Sequence, residues 1–326
     1  MQKIQKIISK NKLLCIILCF FLCLSIIYGT IKNNHILKGK TKNGETIIYS
    51  IEDTDVTAND FYISLQNSAS YSSVVNNMIQ KTIVNDCIKT TSALKNKAQS
   101  NLKTLENNYS SNYDNVGEEL NNQALALGYD SIDDYLITNA KCTELAAQYA
   151  ADHFDELQIK AIRYVLVSFE NSMEQSETIT ESEQEKMDKI DNALINGQIF
   201  SDVAKSYSDD SSTASNGGFL GVIDNNSKSV LDSTFYQTAI DLSEDETSDW
   251  IKIDNYGYFK IYCEASTSET LEDMNISEPY QSLVENYDSS LIGKALWSKM
   301  NELHIDFHDN EYLKDSFKSF CGIGEE

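Results

Sequence analysis

The sequence predicts an α+β protein in which two helix-rich regions flank a mixed segment over residues 159–266. Three observations predict it. Apolar residues recur at i, i+3 and i+4 in long stretches before residue 158 and after residue 278. The β-branched and aromatic run AIRYVLVSF, residues 161–169, interrupts that period and has strand composition. Two further apolar runs, residues 250–253 and 258–262, are joined by Asp254-Asn255-Tyr256-Gly257, the chemistry of a tight hairpin turn. A chain that is 41% apolar and 10% aromatic has enough side chain to bury real cores. One proline, Pro279, and 13 glycines exclude collagen-like and proline-rich linker architectures.

The first element is an apolar run from Leu13 to Tyr28, broken only by Ser25 and preceded by Lys3, Lys6, Lys10 and Lys12. That is the layout of an export signal. Ile27-Tyr28-Gly29 makes a poor cleavage site, which predicts an uncleaved membrane anchor over residues 1–30, with secretion as the alternative if the signal is cut. Residues 1–43 hold eight lysines and no acid, so the remaining 18 bases face 50 acids, net −32. Such a body repels polyphosphate, and nucleic-acid partners are excluded on that ground. Cys15, Cys19 and Cys23 lie in the apolar run. Cys87, Cys142, Cys263 and Cys321 are scattered through the body and are expected to be mostly buried free thiols, although three pairings are open to them.

Thr46-Ile47-Ile48-Tyr49 reads as a small strand. Thr57 and Asp60 then have capping-box spacing at the start of a helical region. Val75, Met78, Ile79 and Ile83 mark one expected buried face, extended by Leu94, Ala98, Leu102 and Leu105. After a polar break at Asn107–Asn115, one helix ends near Leu127-Gly128 and another starts at Ser131 and runs to about Leu157. The central segment reads β-α-α-α-β-β, with helices at about 181–195, 200–207 and 235–242. A final helix is expected from Pro279 to Leu303. The expected division is 1–30, 45–158, 159–266 and 267–326.

Within the central segment stand Arg163-Tyr164-Val165-Leu166-Val167, Gly197-Gln198-Ile199-Phe200 with Ala204, and Tyr207-Ser208-Asp209-Asp210. Asn216-Gly217-Gly218-Phe219-Leu220-Gly221, Phe235 with Ala239, and Tyr256-Gly257-Tyr258-Phe259-Lys260-Ile261 follow in order. This series resembles a parvulin-type (PpiC) peptidyl-prolyl isomerase domain. The flanking Val56-Thr57-Ala58-Asn59-Asp60-Phe61, Leu127–Leu136 and the C-terminal helix with Ile305-Asp306-Phe307 resemble the chaperone segments of PrsA/SurA-type foldases. The resemblance implies a parvulin-like antiparallel sheet with helices, plus a mainly helical chaperone lobe built from the N- and C-terminal segments. It implies unfolded or partly folded exported proteins as partners, no cofactor and no metal.

Prolyl isomerisation has no covalent step; its barrier is the amide resonance of the peptide bond, ~18–20 kcal/mol. A catalyst helps by holding a twisted amide in a dry pocket with suitably aimed hydrogen bonds. In the family this falls to two facing histidines, a Cys or Asp, and an apolar proline slot. The first histidine position falls on Tyr164, the second on Phe259, and the acid on Asp210. The slot includes Val230 or Leu231 with Phe235, and Tyr256 stands where a small hydroxyl residue is usual. The four histidines of the chain, His35, His153, His304 and His308, all lie outside residues 161–266. The resemblance therefore implies a degenerate isomerase site with Asp210 and Tyr164 in the catalytic positions and Leu231, Phe235, Phe259 and Tyr256 toward substrate. Two alternatives to a chaperone stay open: a working isomerase with substituted residues, and an adaptor that binds one folded partner.

Plainer readings compete at several positions. Asp210 suits a loop carboxylate that caps its own turn, and Phe235 suits a helix core. Glu170, Glu174, Glu177 and Glu181 occupy the stretch where phosphate-directed parvulins are basic, which excludes phospho-Ser/Thr-Pro specificity by repulsion. His304, Asp306 and His308 alternate with Ile305 and Phe307; on a strand they share one face, giving either a transition-metal site or an amphipathic edge strand, the latter expected.

Overall fold

The computed structural model describes residues 41–42, 44–51, 54–66, 71–170, 178–308 and 310–324. The expected signal or anchor helix, with Cys15, Cys19 and Cys23, lies outside the described residues, as do Glu174 and Glu177. Among the described residues no helix is long and apolar enough to cross a membrane.

The chain divides into two units, residues 1–71 and 72–326. In the first, β1 (Thr41–Lys42), β2 (Glu45–Ile51) and β3 (Thr54–Thr57) form an antiparallel meander that leads into α1 (Ala58–Gln66). The entry to α1 has the expected capping box. Thr57 Oγ1 accepts from the Asp60 amide at 3.2 Å, and the Thr57 amide donates to Asp60 Oδ2 at 3.0 Å.

The second unit begins one residue into α2 (Tyr71–Cys87) and continues with α3 (Ser92–Tyr109), α4 (Val116–Ala126), α5 (Ile132–Asp152) and the single turn α6 (Phe154–Leu157). Ser131 caps α5 by accepting from the Asp134 amide at 3.1 Å. The buried face of α2 differs from the expected one: Ile83 and Val84 are buried with Asn76 and Gln80, whereas Met78 is exposed. The reason lies in the partners of that face. Asn76 Nδ2 donates to Ser316 Oγ at 3.0 Å on the C-terminal helix, so a polar residue takes an inward position.

The central segment holds a four-stranded antiparallel sheet in the order β5-β4-β7-β6. Its strands are β4 (Lys160–Ser168), β5 (Phe219–Ile223), β6 (Ile251–Ile253) and β7 (Gly257–Ala265). The fourth strand, β5, corrects the expected β-α-α-α-β-β order to β-α-α-β-α-β-β. Because β4 alternates, it serves two cores. Val165 and Val167 face α7 (Glu181–Ile195) and α8 (Phe200–Tyr207), whose Met187, Ile190, Val203 and Ala204 are buried against them. Ile162, Tyr164 and Leu166 face α9 (Ser233–Asp241), with Phe235 and Ala239. Full burial of a side chain such as Ile190 stabilises by about 2 kcal/mol.

The expected final helix is two: α11 (Pro279–Asn286) and α12 (Ser290–Glu302), preceded by α10 (Ser268–Asp273). The break falls at Tyr287-Asp288-Ser289, where Asp288 Oδ1 accepts from the Ser290 amide at 3.0 Å and restarts the helix. Both helices pack on α5, joining Leu145, Ala146 and Ala150 to Leu283, Val284, Leu291, Ala295 and Leu296 in one core. That core reaches the sheet through Ala161, Val222 and Ala265. Residues 304–308 form no strand. His304 and His308 take left-handed backbone conformations, φ 51° and 50°, which breaks the extended geometry. Ile305 and Phe307 still pack inward, and Asp306 Oδ2 lies 3.1 Å from His308 Nδ1. The chain closes with α13 (Glu311–Phe320). Cys142, Cys263 and Cys321 are buried free thiols and Cys87 is a half-buried one.

Candidate functional site

The residues singled out in the central segment converge around the middle of β4. Tyr164 stands mid-strand, paired with Ile261 of β7, and its amide donates to Gly218 O at 2.9 Å. Gly218 is there for a steric reason. It has φ +71°, and a Cβ would lie 2.1 Å from Tyr164 O. The glycine thus lets the 217–218 turn press against the strand that carries Tyr164.

The loop after α8 is pinned to the same strand. Ser208 Oγ accepts from the Leu166 amide at 3.1 Å and from the Asp210 amide at 3.3 Å. This brings Asp210 to Tyr164, whose hydroxyl donates to Asp210 Oδ2. Thr213 Oγ1 donates to the same oxygen at 2.5 Å. Ser212 supplies the other oxygen, with its amide at 3.0 Å and its hydroxyl at 2.7 Å. Four donors therefore converge on one carboxylate.

Partial burial alone would raise the Asp210 carboxyl, but the hydrogen bonds from Thr213, Tyr164 and Ser212 outweigh it and hold it at about 2. Burial, and next the bond to Asp210, push the Tyr164 phenol up to about 12. At neutral pH the pair is a fixed carboxylate and a fixed phenol. The turn-capping reading of Asp210 is borne out by the Ser212 bonds, while Thr213 escaped the sequence reading. The signal was available: Asp-x-Ser-Thr is the pattern of a side chain that caps its own turn.

Beside this network lies an aromatic triad. Tyr164 meets Phe235 at 5.7 Å and Phe259 at 5.4 Å between ring centroids, and Phe235 meets Phe259 edge-on at 5.6 Å. Phe235 and Phe259 are 5% and 8% exposed, so each is core. Leu231 packs against the core cluster that contains Phe235 and Phe259, while Val230 is 59% exposed. Tyr256, in the β6–β7 turn, is 62% exposed with its ring 6.3 Å from Phe259.

The chemistry on offer is narrow. The hydroxyl protons of Tyr164, Ser212 and Thr213 are all committed to Asp210. The phenylalanines have none to give. The arrangement supplies an apolar edge and a saturated carboxylate.

The family model described as "Rotamase: PPIC-type PPIASE domain" matches residues 165–264. The foldase protein PrsA 1 of Listeria monocytogenes is 30% identical over 135 residues, 40% of this chain and 44% of that protein. Foldase protein PrsA of Bacillus subtilis is 30% identical over 139 residues, 42% of this chain and 46% of its own length. The chain thus spans less than half the length of the curated relatives it matches. The crystal structure of PrsA from Bacillus subtilis aligns over 83% of this chain and 98% of that one, at 21% identity and a TM-score of 0.32. Residues 165–264, which contain Asp210 and directly follow Tyr164, match a PPIC-type PPIase domain in a chain similar to PrsA-type foldases.

Proposed function

We propose that this chain is an extracytoplasmic foldase that holds unfolded exported proteins and whose isomerase domain binds proline-bearing or aromatic segments without efficient turnover. One observation carries the second half. The hydroxyl nearest the amide-twisting position, on Tyr164, spends its proton on Asp210, and Phe259 opposite has no polar atom. A prolyl amide held there gains apolar enclosure but no aimed donor. Losing a positioned polar contribution of ~3 kcal/mol corresponds to roughly a hundredfold in rate.

The holding function is supported by the likeness to PrsA foldases. We assign it to segments 45–158 and 267–326 together, around the isomerase domain at 159–266; the packing of α11 and α12 on α5 supports that division. Residues 13–28 tether the body to the cytoplasmic membrane in this reading. Protection of the body from protease added to intact cells would contradict that topology.

The deciding experiment measures isomerisation of a proline peptide by the wild type, Asp210→Ala and the Tyr164→His/Phe259→His pair, with suppression of aggregation of several unrelated clients. The expected result is a wild-type rate near background, a rate gain in the double variant, and suppression that survives Asp210→Ala. Fast wild-type turnover abolished by Asp210→Ala would identify a working site instead. Suppression confined to one client would identify an adaptor.

A further inference from the structure

At the opposite end of β5 from the turn that supports Tyr164, two buried carboxylates share Asn226 as a donor. Asp224 follows β5 directly and is 0% exposed; Asp288 sits in the α11–α12 break and is 2% exposed. Each has one satisfied oxygen. Asp224 Oδ1 accepts from the Asn226 amide at 3.0 Å and Ser227 Oγ at 2.8 Å. Asp288 Oδ1 accepts from Asn226 Nδ2 at 2.8 Å, the Ser290 amide at 3.0 Å and Ser290 Oγ at 2.5 Å. Both Oδ2 atoms are buried without a hydrogen-bond donor.

Two ionised carboxylates cannot share a dry site at little cost; something positive must lie between them. A metal ion is disfavoured by the surroundings. Among the described residues no group of three or more acid, histidine or cysteine ligands exists, and the Lys294 ammonium stands 3.8 Å from Asp288 Oδ2. The donors around both Oδ1 atoms are N–H and O–H groups that hold carboxylates, not oxygens that complete a cation shell. A proton needs only the two atoms that are left over.

We propose that Asp224 and Asp288 share one proton, and that this shared proton is a pH-sensitive latch tying the isomerase domain to the C-terminal helices. The parts it joins are the loop after β5 and the α11–α12 break. The same seam carries Tyr287 OH donating to Leu220 O at 3.0 Å and Asn226 Nδ2 reaching Ser290 Oγ at 3.3 Å. Asp224 is the acid of the pair. Burial first, and then the neighbouring Asp288, raise its carboxyl to about 6. Asp288 is the carboxylate, because Ser290, Asn226, Asp224 and Lys294 together overcome its own burial and lower it. The other groups facing the pair are Lys294 from α12 and Tyr236 from α9, whose hydroxyl donates to Asn225 O at 3.0 Å. Burial pushes the Tyr236 phenol above its ordinary value, so it keeps its proton and the proton on Asp224 is the one that leaves.

The sign follows from linkage. A carboxyl whose folded value lies above its unfolded 3.8 stabilises the folded form below that value, and the contribution is lost as pH rises through about 6. The equilibrium constant for opening the seam is then expected to rise roughly tenfold from pH 5 to pH 7.5.

Hydrogen exchange at residues 279–302 of the full chain, followed from pH 5 to 7.5 and corrected for intrinsic exchange, reads that constant. Asp224→Asn places a permanent N–H where the shared proton sits. Its exchange is expected to be flat over the range while the wild type rises about tenfold. Infrared difference spectra of the wild type alone provide a second readout that no folding defect can remove: a buried carboxylic-acid band that disappears with a midpoint near 6. Equal pH profiles in wild type and Asp224→Asn overturn the proposal, as does absence of that band. Protection that follows added calcium or magnesium, and not pH, overturns it in favour of a cation.

Discussion

Asp210 and Asp224 are two aspartates of one domain with opposite fates. Four donors converge on Asp210 and both its oxygens are saturated, so it is an anion at every ordinary pH. At Asp224 one oxygen is equally well served, but the other meets a second carboxylate. Burial works in the same direction at both, against charge. What separates them is the number of donors left for the last lone pairs. The comparison teaches that the Tyr164–Asp210 network is a fixed electrostatic structure, whereas the carboxyl whose charge responds to mild pH change lies at the seam with the C-terminal helices.

The largest effect expected from breaking this contrast comes from the backbone under Tyr164. Gly218→Val places a Cβ 2.1 Å from Tyr164 O at a left-handed φ, so β4 and the 217–218 turn must separate. A loss of about 3 kcal/mol or more is expected in urea unfolding of the isomerase domain, along with the Tyr164–Asp210 bond. An unchanged unfolding midpoint would show that the turn does not position the site.

Next in size is Asp210→Ala. It strands the Tyr164 hydroxyl and the Ser212 and Thr213 donors around a missing acceptor, at a cost of about 2 kcal/mol at pH 7. The pH dependence has the opposite sign to that of Asp224. Asp210 is held at about 2, below its unfolded 3.8, so its contribution is present above pH 4 and disappears as pH falls toward 2. Wild type and variant should converge in stability under acid. A constant difference from pH 7 to pH 2 would mean that the carboxylate charge contributes nothing.

How much of this was legible in the sequence varies with the kind of interaction. Helices 181–195 and 200–207 were legible, because each has a cap or breaker and one apolar face. Strand β5 was not. Phe219-Leu220-Gly221-Val222-Ile223 touches core on both faces, so it lacks alternation and a glycine interrupts it. The α11–α12 break was hidden for a related reason. Val284, Tyr287, Leu291 and Ala295 keep a helical period straight through it, and only the short polar run at Asp288-Ser289-Ser290 supplies the new start. The alternation at 304–308 predicted which residues point inward but not the turn, since two left-handed residues leave Ile305 and Phe307 inside without a strand. The Tyr164–Asp210 meeting was legible only through family resemblance. The Asp224–Asp288 meeting joins two ordinary-looking turns that no local pattern connects.

Tyr164→Phe removes a single bond from the saturated network. It should cost about 1 kcal/mol. Asp210 loses one of the donors that lower it, so its titration should move upward from about 2 while remaining acidic. Isomerase rate should not change, since the proton removed was already committed. A rate that falls with the hydroxyl would show that Tyr164 reaches the substrate after all, and would restore the network to catalysis.

The smallest expected effect lies at Lys294, and it tests the contrast at its finest point. The ammonium stands 3.8 Å from Asp288 Oδ2 and is partly open to solvent, so its pull on the pair is screened. Lys294→Met keeps the aliphatic stem and removes the charge. With less positive potential nearby, the doubly ionised pair becomes less favourable relative to the singly protonated one, and the proton is held to higher pH. The midpoint of the exchange transition at residues 279–302 should rise by about half a pH unit at low salt, and by less at high salt. Asp210 is served by neutral donors and no lysine, so its acid titration should stay where it is in the same variant. A midpoint that falls, or an Asp210 titration that moves with it, would mean that the two aspartates respond to the general charge of the domain and not to their own partners.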